Sequence, residues 1–251
     1  MPARTRHTAT LLSNGKVLIA GGLVGYTALE SAEIYDPDTG TFTPTGSMTA
    51  PRGVHTATLL QSGKVLMVGG GGGTSTEIYD PDTRTFTAAG NSVTQRYDHT
   101  ATLLQSGAVL LAGGYSNSGA GGGSGTSGQV SAEIYDPAAG TFTATGNLTV
   151  ARDRHAAILL PSGSVFIAGG FAPVTGLSPN AIASTEQYDP TTGVFAATGN
   201  MTVSSVTPLR RRCSMGPFSW EVGSMVSRGT SRVSAWSYTI QRPGNSCPRV
   251  S

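Results

Sequence analysis

One phrase occurs four times in this chain, and that recurrence limits the fold more than any other feature. In its fullest form it reads Arg52-Gly-Val-His55-Thr-Ala-Thr-Leu-Leu60-Gln-Ser-Gly63-Lys-Val-Leu-Met-Val-Gly69-Gly70. After a variable stretch it continues as Thr76-Glu77-Ile78-Tyr79-Asp80-Pro81 and ends in Thr85-Phe86. The copies are anchored at His7, His55, His99 and His155, with Tyr35, Tyr79, Tyr135 and Tyr188 at matching places. Successive histidines stand 48, 44 and 56 residues apart. Self-similarity at such a period belongs to solenoids and propellers, whose repeated unit cannot bury its apolar faces alone.

Each copy divides into four short segments: Arg-x-x-His-Thr-Ala-Thr-Leu-Leu, then Gly-Lys-Val-Leu-Ile-Ala-Gly-Gly, then Ala-Glu-Ile-Tyr-Asp-Pro, then Thr-Phe-Thr. All are brief apolar runs bounded by Gly, Pro, Asn, Asp or Ser, which predicts strands. None keeps a helical period. Ser13-Asn14-Gly15, Gln61-Ser62-Gly63, Gln105-Ser106-Gly107 and Pro161-Ser162-Gly163 supply the positive-φ glycine of a tight hairpin between the first two segments. Asp36-Pro37-Asp38-Thr39-Gly40 and its counterparts turn the third segment into the fourth, with Pro presetting φ and Asp free to cap backbone N–H groups. Each unit therefore reads as a four-stranded antiparallel sheet. Stacking such sheets radially hides both faces, the β-propeller solution. The small Thr8-Ala9-Thr10 and Thr56-Ala57-Thr58 suit the crowded axis, and the Tyr and Phe residues suit the periphery.

The doublets Gly21-Gly22, Gly69-Gly70, Gly113-Gly114 and Gly169-Gly170, each followed by Glu-x-Tyr-Asp-Pro and then Phe42, Phe86, Phe142 or Phe195, resemble the kelch repeat. The resemblance is closest to bacterial kelch proteins and to the central propeller of galactose-oxidase-like proteins, and it covers residues 1–203. Phe stands where many kelch units have Trp, and the repeats contain no Trp. The resemblance implies an all-β, kelch-type propeller fragment of about four four-stranded blades with a non-repeat tail over 204–251. It implies a non-catalytic module that recognises a protein or a glycan, in a parent that is secreted or at the cell surface; this chain shows no signal peptide. The alternative it implies is a piece of a galactose-oxidase-like enzyme whose catalytic residues lie outside the chain. That family's copper centre needs a Tyr cross-linked to a Cys, and the in-frame repeats contain no Cys. No catalytic, cofactor or metal residue carries over.

Length variation follows the Gly-Gly doublet: Gly71 to Thr74 in the second unit, Tyr115 to Gln129 in the third, Phe171 to Ala183 in the fourth. In a four-stranded meander these loops emerge at the same end as the links between blades. That end is the expected binding face, with Tyr26, Tyr97, Tyr115 and Phe171 as its aromatics. Residues repeated in every unit are expected to be structural: Arg52, His55, Gly69, Gly70, Glu77, Tyr79 and Asp80 in the second copy. Arg4, Arg52, Arg96 and Arg152 match Glu33, Glu77, Glu133 and Glu186 in number, which predicts one ion pair per blade. No carboxylate pair stands apart from the repeat to form an acid–base dyad. The formal net charge of +2 offers no basic stripe for nucleic acid, and no apolar run is long enough to span a membrane. The sequons at Asn147 and Asn200 sit in the ordinary link between units, and the glycine runs at 69–73 and 119–125 lack the Lys-Ser/Thr of a phosphate loop.

Met1 aligns with Met48, inside a link, so the start is expected to fall mid-propeller, with the remaining blades in the parent protein. After Val203 the repeat stops. Both Cys, both Trp and the Arg210–Arg212 cluster lie beyond it. Taking the last base of each codon with the first two of the next restores the pattern. Arg210 to Met215 can yield Thr-Ala-Thr-Leu-Leu-Asp, Met215 to Gly223 a Val-Leu-Val-Gly-Gly-Gly run, and Trp236 to Gln241 Glu-Leu-Tyr-Asp-Pro. Residues from about 204 onward are therefore expected to be a fifth unit translated in the wrong frame. Resequencing the coding DNA across codons 200–210 should reveal one missing or extra base whose repair restores all three landmarks; an intact frame would make the tail genuine.

Overall fold

The computed structural model describes residues 3–116, 127–172 and 180–202, and the backbone strands Cys213–Met215, Phe218–Val222 and Tyr238–Ile240. The chain divides into two compact units, Met1–Val206 and Thr207–Ser251. In the second, the three strands just named form one antiparallel sheet. Most of the stretch assigned to a shifted frame lies outside the described residues.

The first unit is four antiparallel sheets of four strands, each in sequential order. The first blade is Thr8–Leu11, Val17–Ala20, Ala32–Asp36 and Thr41–Pro44. The second is Thr56–Leu59, Val65–Val68, Ser75–Asp80 and Thr85–Asn91. The third is Thr100–Leu103, Val109–Ala112, Ala132–Asp136 and Thr141–Ala144. The fourth is Ala156–Leu159, Val165–Ala168, Thr185–Asp189 and Val194–Ala197. No helix occurs among the described residues. The first strands of successive blades lie side by side, so they are the inner ones, and their Thr-Ala-Thr sequences let the backbones approach. The all-β propeller-blade architecture expected from the repeat is the architecture found.

Three apolar layers fill the spaces between blades. Leu18, Ala20, Ala32 and Ile34 of the first blade meet Val65, Met67, Tyr79 and Phe86 of the second. Leu66 and Val68 meet Val109, Leu111 and Tyr135. Leu110, Ala112 and Ala132 meet Val165, Ile167, Tyr188 and Phe195. Each strand alternates, sending one set of side chains to the preceding blade and the other to the following one, so both faces must be apolar. Where no preceding blade is present the same positions lie open: Phe42 is 58% exposed, against 9% for its counterpart Phe86.

At the end opposite the variable loops, Asp36, Asp80, Asp136 and Asp189 accept backbone N–H bonds from Asp38, Asp82, Ala138 and Thr191 at 2.8–3.0 Å, capping their turns. Lys16 and Lys64 pair with Asp36 and Asp80 across the neighbouring hairpin.

The repeated arginine holds each blade together from within. Arg52 Nε donates to Glu77 Oε1 at 3.0 Å, Nη1 to the Gly69 carbonyl at 3.0 Å, and Nη2 to Ser75 Oγ at 3.0 Å. Glu77 also accepts the Thr49 backbone N–H, tying in the link from the previous blade. Arg96 does the same with Glu133, the Gly113 carbonyl and Ser131, and Arg152 with Glu186, the Gly169 carbonyl and Ser184. The pair is thus made within a blade. The arginine backbone serves the seam: Gly22 N–H donates to the Arg52 carbonyl at 2.8 Å, and Gly114 N–H to the Arg152 carbonyl at 2.8 Å. This close approach explains the doublet. A Cβ on Gly113 would lie 2.5 Å from the Arg152 carbonyl oxygen, and both doublet residues have positive φ.

Removing one partner of such a pair strands a buried charge. Glu133→Ala should lower stability by roughly 3–5 kcal/mol. Glu33→Ala should cost less, because the Arg4–Glu33 side chains are 7% and 13% exposed whereas those of Arg96–Glu133 are 0% and 1% exposed. Urea unfolding of the two variants would show this order; equal losses would remove burial as the source.

Candidate functional site: the variable rim

Within Arg-x-x-His only the two middle residues change: Thr5-Arg6, Gly53-Val54, Tyr97-Asp98 and Asp153-Arg154. The second of each pair, Arg6, Val54, Asp98 and Arg154, has φ of 54°, 65°, 50° and 51°, a left-handed conformation that side chains rarely adopt. They bond in series. Val54 N–H donates to the Arg6 carbonyl, Asp98 N–H to the Val54 carbonyl, and Arg154 N–H to the Asp98 carbonyl at 2.9 Å. This chain of backbone hydrogen bonds crosses all three seams at the end where the variable loops emerge. It holds four unlike side chains at equivalent places in successive blades.

The first residue of each pair bridges to the residue that follows the Gly-Gly doublet: Thr5 with Leu23, Tyr97 with Tyr115, Asp153 with Phe171. In the second blade Gly53 bonds the Gly70 carbonyl instead. The invariant framework thus presents a different facing pair in each blade. The loops beyond continue as short ribbons, Leu23–Val24 with Thr27–Ala28, Tyr115–Ser116 with Ser127–Gly128, and Phe171–Ala172 with Asn180–Ala181.

Of the four expected face aromatics, the structure brings Tyr97 and Tyr115 together and sets Phe171 under Arg154 in the next blade. Tyr97 and Tyr115 stack with ring centroids 5.3 Å apart at 19°. Arg154 lies over the Phe171 ring, 5.7 Å from its centroid. Across the seam Arg154 Nε donates to Asp98 Oδ2 at 2.7 Å, and Asp153 Oδ1 is 3.8 Å from the same nitrogen. Burial pushes the Asp153 carboxyl up to about 6, with Asp98 adding to the rise and Arg154 opposing it. Burial and the Asp98 charge also raise Tyr115. Tyr26 does not join the group. It stands 98% exposed at the tip of the first blade's ribbon. Sequence reading missed Asp98, Asp153 and Arg154, whose signal was their variability inside an otherwise fixed phrase.

The histidines do different work. His55 Nε2 meets Thr8 Oγ1 at 3.0 Å, and His99 and His155 meet Thr56 and Thr100 at 2.9 Å, so each pins its blade to the one before. Burial, reinforced by the arginine three residues earlier, lowers His55 and His155 to about 3. They are neutral at ordinary pH. The outer strands are pinned similarly, by Tyr79 to Thr45 and Tyr188 to Thr145.

Copper, the metal of the galactose-oxidase-like proteins, can be tested against the donors present. Each Nε2 just described is engaged by a threonine in a separate seam. Among the described residues no three His, Cys, Asp or Glu side chains gather as a metal-binding group. These residues do not fit a copper centre.

Radially stacked four-stranded blades with an invariant frame and a variable rim define a β-propeller repeat protein. The Kelch motif matches residues 4–49, the first unit and its link. No curated protein sequence matches the chain. Among solved structures, a fungal alcohol oxidase of the AA5 family, determined in complex with copper, superposes with a TM-score of 0.53 at 18% identity. The match covers 89% of this chain and 59% of that one, so the chain spans under two thirds of the oxidase's length. The Kelch motif thus matches one unit directly, and three further units repeat the same landmarks at equivalent sheet positions in an all-β, propeller-blade architecture.

The histidine pins carry a pH dependence. Unfolded histidine binds a proton near 6.5, the folded His55 and His155 only near 3, so unfolding takes up protons in that window. Their contribution to stability is full above about pH 6.5 and shrinks as pH falls towards 3. His155→Gln, whose side-chain amide can hydrogen-bond Thr100 but does not titrate, should flatten the acid limb of a stability–pH curve. An unchanged slope would place the proton uptake elsewhere.

Proposed function

We propose that the chain is a non-catalytic recognition module that binds a protein or glycan ligand through the rim formed by Tyr97, Tyr115, Phe171, Asp98, Asp153 and Arg154. One observation carries this reading. Sequence divergence between blades is concentrated at the left-handed rim and its loops, while the frame beneath is repeated with its hydrogen bonds. Strained backbone persists where the surroundings enforce it, and such positions gather at ligand clamps. Stacked tyrosines give rigid apolar area with a polar tip, the chemistry of binding hot spots.

A second reading, a portion of an oxidase whose reactive centre is elsewhere, draws on the fold shared with the AA5 enzyme. It supplies no reacting group among the described residues, so recognition is preferred.

The test is to screen the full chain against glycan and peptide arrays and measure affinity for the ligand recovered. Tyr97→Ala and Tyr115→Ala should each weaken binding by about tenfold or more, the loss of a hot-spot side chain. Tyr26→Ala should leave it within about twofold, as a lone exposed ring would. Loss in Tyr26→Ala with none at Tyr97 or Tyr115 would move the site off this rim.

A further inference from the structure

Among the described residues the buried arginines and glutamates are closely paired and hydrogen-bonded, whereas Asp153 has only a loose ion pair. Arg52, Arg96 and Arg152 each hold a glutamate at 2.6–3.0 Å, and those glutamates accept backbone N–H bonds as well. The Asp153 side chain is 13% exposed, and no hydrogen bond reaches its carboxylate among the described residues. Its nearest cation, Arg154, is 3.8 Å away through a nitrogen already given to Asp98 at 2.7 Å. Two carboxylates share one guanidinium, and the inner one lacks a donor. Asp153 bridges to Phe171, so this acceptor lies beside an aromatic ring on the rim.

We infer that Asp153 is the anchor for a cationic group carried on an apolar stem, the lysine or arginine side chain of a protein partner. This rests on the recognition reading above and selects a protein with a basic segment as the ligand. What Asp153 lacks is a hydrogen-bonding cation of its own, and a charged donor satisfies a half-buried carboxylate better than a hydroxyl does. Phe171 and the Tyr97–Tyr115 stack offer the surface on which a methylene stem packs while its head reaches the acid. The other blades offer no such anchor: Thr5, Gly53 and Tyr97 hold the equivalent place.

The charged and titratable groups around Asp153 are Arg154 beside it, Asp98 across the seam and the Tyr115 hydroxyl, and burial raises its carboxyl to about 6. A cation binds the ionised form, so affinity should rise with pH through that value and binding should lower the Asp153 midpoint.

The experiment uses the full chain with carboxyl-labelled aspartate, followed by NMR, and two probes: n-butylammonium, a lysine side chain in miniature, and n-butanol, its uncharged counterpart. Butylammonium should shift the Asp153 resonance, lower its midpoint and bind more tightly at pH 7 than at pH 5; butanol should do neither. Asp153→Asn should weaken butylammonium binding about tenfold, and Asp98→Asn, which releases Arg154 to neutralise Asp153, should weaken it too. An Asp153 titration that ignores butylammonium, or responds equally to both probes, overturns the inference. The wild-type titration reads the outcome even if a variant fails to fold. A neutral glycan bound through Tyr97 and Tyr115 and indifferent to Asp153→Asn would sink this inference and leave the recognition reading standing. Basic-peptide binding that needs Asp153 but not the tyrosines would sink the aromatic rim instead.

Discussion

Everything in the propeller unit depends on a guanidinium that has been taken out of water. Arg52, Arg96 and Arg152 are wholly buried, and an ion of that size is tolerable in the interior only when its donors are filled and its charge is matched. The blade meets both demands from three directions: a glutamate from its third strand, the doublet carbonyl after its second, and a serine hydroxyl before its third. A group with five fixed donors permits little latitude in where those partners stand. The sheet is therefore fixed by a polar centre as well as by its apolar faces. The faces are general, made of Val, Leu, Ile and Met that could be exchanged with little loss. The polar centre is not.

That division leaves the rim free to differ. Arginine, glutamate and the glycines determine where the peptide runs, and the histidine–threonine and tyrosine–threonine contacts lock adjacent blades. Of the two residues between Arg and His, the second is then carried along in a strained conformation that its own side chain does not choose. Val54, β-branched and at φ 65°, shows how firmly the surroundings decide. A blade can present tyrosine, aspartate or glycine at the rim without altering the strands below. The seam locks are redundant to the same end. The second blade has Ala89 where Thr45 and Thr145 stand in the first and third, yet its boundary with the third blade still carries the histidine contact.

Much of this was legible in the sequence because repetition turns one sequence into four parallel observations. The strands, the glycine turns and the Arg–Glu pairing were all marked by residues at fixed offsets. Some regularities were present but unread. A serine stands two residues before each glutamate, at Ser31, Ser75, Ser131 and Ser184, and each bonds the arginine of its blade. Variability marked the rim's residues in the sequence, but nothing there said which of them would meet. Asp98 and Arg154 are far apart along the chain and meet only because the seam sets equivalent positions of two blades side by side. Offsets within a repeat are visible in one dimension; contacts between non-equivalent side chains of different repeats are not. Tyr26 shows the converse. It resembles the other loop aromatics in the sequence, but a ribbon lifts it clear of them.

The seam also has a direction. Each blade gives its arginine carbonyl and its histidine to the blade before, and offers its doublet N–H and its threonine to the blade after. Donor side and receiver side are never the same, so the joint is a grammar of head and tail. Any blade's head fits any other blade's tail. A gene for such a protein can gain or lose a whole unit by unequal recombination without a joint being reinvented, because the break falls between two surfaces that already match. Changing the number of blades is then a single genetic event, and the rim acquires or discards one reading position with it.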